Sequence, residues 1–204
     1  MDQLRIEAKD ISMFFEDKVI FEKLNWVGKE GDFWAIEGNN GVGKSTLLKI
    51  LAGILKPGQG GVHLNEINIE HISISDRKNH LGYMPSKRML SGWIDVETAA
   101  VVGAKTAMLP KIDHLLHEFE LSEKRNQLIQ SLSDGEYVRM QLVRLILQDP
   151  DIVLLDEPAA MLDSNWRKKV YQYLSQWARR GKVVVICSHE LELNKLYCNQ
   201  ILHL

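Results

Sequence analysis

The 204 residues carry 25 Lys+Arg against 27 Asp+Glu, a formal net charge of -2, so the chain has no basic footprint for nucleic acid. Hydrophobic residues make up 45% and charged residues 25%, which excludes a disordered, collagen-like or coiled-coil chain and allows one domain with a well-buried core. The two cysteines, Cys187 and Cys198, lack metal-ligand spacing and point to free thiols in a reducing compartment rather than a structural disulfide.

The opening run from Met1 to Arg5 lacks the basic-then-apolar profile of a signal peptide. No apolar run reaches the length of a membrane span. The sequence therefore predicts a soluble chain whose membrane role, if it has one, comes through a partner. Leu4 to Phe15 and Val19 to Val27 read as strands around a turn at Glu16-Asp17. Phe33 to Glu37 is a short apolar run ending in a glycine loop. Beyond the loop, Leu47, Leu48, Leu51, Ile54 and Leu55 share one helical face. The run Pro57-Gly58-Gln59-Gly60-Gly61 ends that helix and starts a hairpin over Val62 to Ile69. Leu81 to Met84 is a further strand. From Asp95 to about Gln130 the pattern is helical, with Ile112, Leu115, Leu116 and Phe119 in phase. A second helix follows Ser133, with Val138, Leu142, Leu145 and Ile146 on its apolar face. Ile152 to Leu155 and Val183 to Cys187 are continuous apolar runs of the buried-strand type. Between them, Trp166, Val170, Tyr173, Leu174 and Trp177 mark an amphipathic helix. Strands alternating with helices predict a parallel sheet covered by helices, with an all-helical insertion in the middle of the chain.

The segment Gly38-Asn39-Asn40-Gly41-Val42-Gly43-Lys44-Ser45-Thr46 fits the G-x-x-x-x-G-K-S/T pattern, and it lies after a short strand and before an apolar-faced helix. Glycines let the backbone turn its N–H groups around phosphates, and the helix N-terminus favours negative charge. In this role Lys44 reaches the β- and γ-phosphates and Ser45 holds Mg²⁺. A glycine turn that simply starts a helix is the alternative, and the strand–loop–helix context favours phosphate.

Asp156 and Glu157 follow the apolar strand and precede Pro158. Open α/β sheets bind ligands beyond the carboxyl ends of their strands. Asp156 is placed to hold Mg²⁺, directly or through water, and Glu157 to act as general base on an attacking water. Alone, the pair is a common solvated strand end; beside a phosphate loop it reads as functional.

In this order the motifs resemble those of the ABC ATPase family over essentially the whole chain. Leu132-Ser133-Asp134-Gly135-Glu136 is similar to the family signature, usually Leu-Ser-Gly-Gly-Gln. The resemblance implies that Ser133 and Gly135 contact the γ-phosphate of ATP held by another subunit. Ser133 with Glu136 is also a capping box, and both readings can hold together. The resemblance implies that Asp163 is the key residue of the D-loop, that His189 is the switch histidine on the γ-phosphate, and that Phe15 stacks on adenine, with Phe14 as rival. It implies an α/β P-loop NTPase core with a mainly parallel sheet, an N-terminal antiparallel β-subdomain and an inserted α-helical subdomain. Residues 1–204 then form one cassette, with 1–85 and 150–204 as core and β-subdomain and 86–149 as the helical part. The resemblance implies ATP and Mg²⁺ as cofactors. It also implies as partners a second ATP-binding subunit, identical or related, and an integral membrane transport subunit, which would place the chain on the cytoplasmic face of the membrane.

Two positions depart from the family pattern. Ser86 stands where the family usually has a Gln that helps coordinate Mg²⁺ and links hydrolysis to the transport partner; the shorter side chain would need a bridging water. Asp134 replaces a glycine and adds negative charge beside a phosphate site, unless it points away. The stretch Ser86 to Asp95, with Met89, Leu90 and Trp93, is where the family docks its membrane partner. Asp134-Gly135-Glu136, Ser86 and Val101-Val102-Gly103 resemble ATPases of iron-chelate and cobalamin importers, whereas the short length resembles the ATPase of haem export in cytochrome c maturation. ABC proteins of translation or DNA repair usually carry two ATPase units or a long coiled-coil insertion, and neither is present. A P-loop kinase or GTPase is opposed by the signature segment, and no Asn-Lys-x-Asp guanine motif is seen. A degenerate regulatory module, suggested by Ser86, is the remaining rival.

Overall fold

A computed structural model of the chain describes residues 5–16, 18–89 and 92–204. Leu4, Asp17 and Leu90, expected in a strand, a turn and a loop, lie outside the described residues.

Two sheets organise the chain. The first is antiparallel, in the order β2-β1-β4-β5. Its strands are β1 (Arg5–Phe15), β2 (Lys18–Lys29), β4 (Gln59–Leu64) and the short β5 (Ile67–Asn68). The second comprises β3 (Phe33–Glu37), β6 (Leu81–Met84), β7 (Ile152–Asp156), β8 (Val183–Cys187) and β9 (Gln200–His203). Its order is β6-β7-β8-β3-β9, and every neighbouring pair is parallel.

Parallel strands need covering on both faces, and the alternation of side chains shows how this is met. From β7, Val153 and Leu155 point into one apolar cluster, while Ile152 and Leu154 point into a second. From β8, Val184 and Ile186 join the first cluster, and Val183, Val185 and Cys187 the second. The first cluster is closed by α5 (Asp134–Gln148) and α6 (Ser164–Arg179), and the second by α1 (Lys44–Leu51) and the antiparallel sheet. Each fully buried Val, Leu or Ile contributes roughly 1.5–3 kcal/mol. A charge at Leu154 or Val185, both 0% exposed, would break this layer.

The sequence pattern overextends α1. The helix stops at Leu51, because Gly53 takes φ +65° and turns the chain out of the helix. Ile54, placed on the apolar face by its spacing, is therefore 60% exposed. The helix ends before Pro57 rather than at it, and the hairpin is β4 with β5. The middle of the chain is helical, as its pattern predicts, but in short pieces. These are α3 (Val96–Val101), a 3-10 stretch over Thr106–Lys111, α4 (Ile112–Glu118), and further single turns at Ser122–Lys124 and Ile129–Ser131. Three elements have no counterpart in the sequence reading: α2 (Ile74–His80), α7 (Leu191–Tyr197) and β9. No helix among the described residues is long and apolar enough to cross a membrane.

Candidate functional site

The parallel sheet presents three carboxyl ends side by side. Strand β3 ends in the glycine loop, β7 in Asp156 and Glu157, and β8 in Ser188 and His189. This is the edge at which α/β sheets bind ligands.

The loop 38–43 is shaped by its glycines, with φ of +152° at Gly38, +78° at Gly41 and +118° at Gly43. A side chain at Gly43 would also collide with Ile20 of β2, whose Cγ2 lies 2.4 Å from the position a Cβ would take. The end of the β1–β2 hairpin is thereby packed onto the loop. Gly43 is the N-cap of α1, and no side chain caps that helix or places an acid in its first turn. No acid of the helix itself therefore competes for the first-turn N–H groups, which have the positive end of the helix dipole behind them. Lys44 is 7% exposed, and its Nζ donates to the carbonyls of Gly38 at 2.8 Å and Asn39 at 3.1 Å. The ammonium is held over the loop, 3.4 Å from His189 Nε2. Val42 closes the turn by donating its N–H to Asn39 O at 3.3 Å.

Asp156 is 2% exposed and accepts two hydroxyls, Ser45 Oγ at 2.9 Å on Oδ1 and Ser86 Oγ at 3.1 Å on Oδ2. Ser86 thus reaches Asp156 directly. Glu157 sits in a left-handed conformation, φ +53°, and its N–H donates to Cys187 O at 3.0 Å. That bond fixes the acid between β7 and β8. Its Oε1 lies 3.4 Å from His189 Nε2. Partial burial pushes the Glu157 carboxyl above its usual range, against the opposing pull of His189; the charge of Asp156 pushes it further up. A carboxyl with a raised pKa beside a lysine and a histidine is the pattern of a proton-accepting site.

Four oxygens, one each from Ser45 and Ser86 and two from Asp156, converge in this corner. Such donors suit a hard cation such as Mg²⁺, which is commonly held by one or two carboxylates together with substrate phosphates. Among the described residues no group of three or more His, Cys, Asp or Glu side chains could hold a metal alone.

The signature segment lies at the start of α5. Ser133 is its N-cap: Ser133 Oγ accepts from Glu136 N at 3.2 Å, and Glu136 Oε2 accepts from Ser133 N at 2.8 Å. The capping box is real. Gly135 lies beneath the 159–163 turn, with Met161 O 3.1 Å from the position of a Cβ. Asp163 caps α6, its Oδ1 accepting from Asn165 N at 2.9 Å and Trp166 N at 3.0 Å. Among the described residues, no hydrogen bond or ion pair joins Ser133, Gly135 or Asp163 to the loop from Gly38 to Thr46. The structure thus divides the expected site residues into two groups. Asp134 turns towards Arg88, which donates from Nε to Asp134 Oδ1 at 3.1 Å. A cleft of about 430 Å³ runs between the Ser86 loop, the start of α5 and Glu157.

Phe15 ends β1 and is 48% exposed, whereas Phe14 is 38% exposed and its ring packs against Gly58. The freer ring is Phe15, next to the hairpin end that covers Gly43.

Sequence reasoning missed a buried polar network behind the site. Tyr171 OH shares hydrogen bonds with Ser188 Oγ at 2.8 Å and Asn194 Oδ1 at 2.6 Å. Asn194 Nδ2 in turn donates to Glu37 Oε1 at 2.8 Å. The chain of contacts ties the residue before His189 to the residue before Gly38. Its one sequence signal was adjacency to those two motifs. A larger cavity, about 670 Å³, lies at the opposite, amino end of β7 and β8, lined by Pro150, Asp151 and Lys182 among others. It shares no residue with the motifs.

The chain is similar to known proteins over most of its length. Residues 4–160 match the ABC transporter family. The cytochrome c biogenesis ATP-binding export protein CcmA of Histophilus somni is 32% identical over 200 residues, covering 96% of this chain and 92% of that protein. An uncharacterised ABC transporter ATP-binding protein of Methanocaldococcus jannaschii, MJ1023, is 28% identical over 204 residues, covering 97% of this chain and 73% of the relative. Among solved structures, an ATP-binding subunit of an ABC transporter superposes with a TM-score of 0.89 at 23% identity, covering 98% of this chain and 85% of that one. That last likeness shows the fold.

The chain belongs to the ABC transporter family. Within it, the chain is an ATP-binding cassette with ATPase activity. The relatives' names are divided among cytochrome c biogenesis export, metal transport and nucleoside import, and so do not single out the importers of iron chelates or cobalamin.

Proposed function

We propose that this chain hydrolyses ATP in a dimer closed head to tail, each site joining the loop of one copy to the signature segment of the other, and so drives a membrane transport subunit. The observation that carries this reading is the division of the motif residues. Lys44, Ser45, Asp156, Glu157 and His189 are linked within one site, while Ser133 and Gly135 stand apart from the loop of their own chain.

In this reading the backbone N–H groups of loop 38–46 and Lys44 bind the β- and γ-phosphates, and Phe15 stacks on adenine. Ser45 and Asp156 would hold Mg²⁺, with Ser86 reaching it through a bridging water. The bound cation supplies charge neutralisation of the phosphates. Glu157 accepts a proton from the attacking water as its oxygen bonds to the γ-phosphorus and the bond to the β–γ bridging oxygen breaks. His189, 3.4 Å from both Lys44 Nζ and Glu157 Oε1, orients that group and contacts the γ-phosphate. Ser133 and Gly135 of the other copy, at a helix N-terminus, close over the same phosphate. Asp163 shapes the turn that meets the opposite subunit. Residues 86–149 act as the helical subdomain, and the exposed Met89 (70%) and Trp93 (86%) dock the membrane partner from the cytoplasmic side. The resemblance of Asp134-Gly135-Glu136 and Ser86 to importers of iron chelates or cobalamin gives a second, finer reading, tested by which membrane subunit co-purifies with the chain.

The test is Glu157→Gln. Loss of the proton acceptor should lower hydrolysis by about 10²–10⁴-fold. ATP binding should persist, and the variant should run as a dimer in Mg-ATP by light scattering after size exclusion. Wild-type turnover in a monomeric Glu157→Gln protein contradicts the reading.

A further inference from the structure

Arg88 lies two residues beyond Ser86, yet among the described residues its polar and ring contacts reach the start of α5 and the turn before it. Its guanidinium meets the Asp134 carboxylate at 3.0 Å and 3.1 Å. It also donates to Leu132 O, lies 3.5 Å from Ile129 O, and stacks on the Tyr137 ring with Cζ 4.8 Å from the centroid. At the other end of the same short loop, Ser86 donates to Asp156. One turn of chain therefore holds the buried carboxylate of the phosphate site and the first turn of α5.

We propose that Arg88 is a positioning residue that turns the Asp134 carboxylate away from the approaching γ-phosphate, and so makes an acidic signature segment compatible with ATP. The inference rests on the composite-site reading above. Physical chemistry requires some such device. Asp134 stands between Ser133 and Gly135, and its side chain is 65% exposed. A carboxylate at a helix N-terminus is favourable until a phosphate arrives at the same N–H groups; then the two anions repel. The fork of Arg88 pairs with Asp134 while its remaining donors bond the Leu132 and Ile129 carbonyls, so the ion pair is anchored from both sides. A lysine would lack the planar fork and the stack on Tyr137.

The experiment uses full-length Glu157→Gln protein, titrating Mg-ATP and reading the dimer fraction by analytical ultracentrifugation. Adding Arg88→Ala should raise the ATP concentration for half-maximal dimer roughly fivefold or more, the size expected of one uncompensated charge near a phosphate. Adding Asp134→Gly as well should restore most of the loss, because no carboxylate then needs turning. The Arg88→Ala deficit should also shrink at high salt, where exposed charges are screened. Equal deficits in Arg88→Ala and Arg88→Ala/Asp134→Gly would mean that Arg88 merely caps and packs, and would overturn the proposal. Undiminished dimerisation by Arg88→Ala overturns it too. Failure of Glu157→Gln itself to dimerise overturns the composite-site reading first, and Arg88's role with it, which separates the two.

Discussion

The hydroxyl of Ser45 donates to Asp156 Oδ1 across 2.9 Å, joining the first turn of α1 to the end of β7 over 111 residues of sequence. This bond connects the segment of the glycine loop with the acidic pair that follows β7. Around it, Lys44 and His189 complete a corner in which each charged group has a partner. The corner rests on a sheet whose strand ends are held in register by parallel pairing.

Lys44→Ala removes the ammonium from over the loop. A hydrogen bond to a charged group is worth roughly 1.5–3 kcal/mol, so ATP affinity should fall by about 10- to 100-fold. Equilibrium binding of a fluorescent ATP analogue, with wild-type and variant measured side by side, checks this. Unchanged affinity and hydrolysis would remove the phosphate role of loop 38–46.

The pH dependence follows from Glu157, whose carboxyl is raised above its ordinary value of 4.5, mainly by partial burial. As proton acceptor it must be ionised, so hydrolysis is lost as pH falls through the raised pKa. His189 opposes the rise, so His189→Gln should move the acid limb of the residual activity to higher pH. For stability the sign is reversed. The folded carboxyl binds a proton more readily than the unfolded one, so its contribution is favourable at low pH and lost as pH rises through the folded pKa. Glu157→Gln should therefore raise the melting temperature near neutral pH, and the gain should vanish in acid. A pH–rate profile and thermal melts at matched pH values read both effects.

Much of this site was legible in the sequence because its parts are local. The loop Gly38 to Thr46 carries its geometry in its glycines, and the runs Ile152 to Leu155 and Val183 to Cys187 announce buried strands by lacking any polar face. What escaped has a physical reason. α2 buries none of its residues, so it has no apolar stripe to read. Its start signal is a single cap, Ser73 accepting from Asp76 N. β9 is an edge strand with three of its four residues exposed. Tyr171 lies one position off Val170 in the stripe of α6, yet it is 0% exposed because its hydroxyl finds Ser188 and Asn194. Arg88 and Asp134 are separated by 46 residues, and only the return of the chain through the helical segment to the start of α5 brings them together.

The cysteines give a separate check on the fold. Cys187 is 0% exposed, and burial pushes its thiol far above the ordinary range. Cys198 is half-buried and pushed up to about 12 by burial, with the charge of Glu37 adding to it. Both thiols are free, and neither forms the thiolate that reacts at neutral pH. Native protein should therefore resist iodoacetamide at pH 7.5, while denatured protein should take up two equivalents per chain, one for each cysteine of the sequence. Rapid labelling of Cys187 in the native protein would place β8 wrongly.

The most direct measurement of the shared site mixes two inactive proteins. Lys44→Ala keeps an intact signature segment, and Ser133→Arg keeps an intact phosphate loop. In a mixed dimer, Lys44 of one copy and Ser133 of the other form one whole site, and the second site carries both defects. ATP turnover is measured for each variant alone and for the mixture, with mixed dimers verified by two affinity tags. Turnover in the mixture well above that of either variant is the result expected of a site shared between two copies. Verified mixed dimers no more active than the separate variants would contradict it.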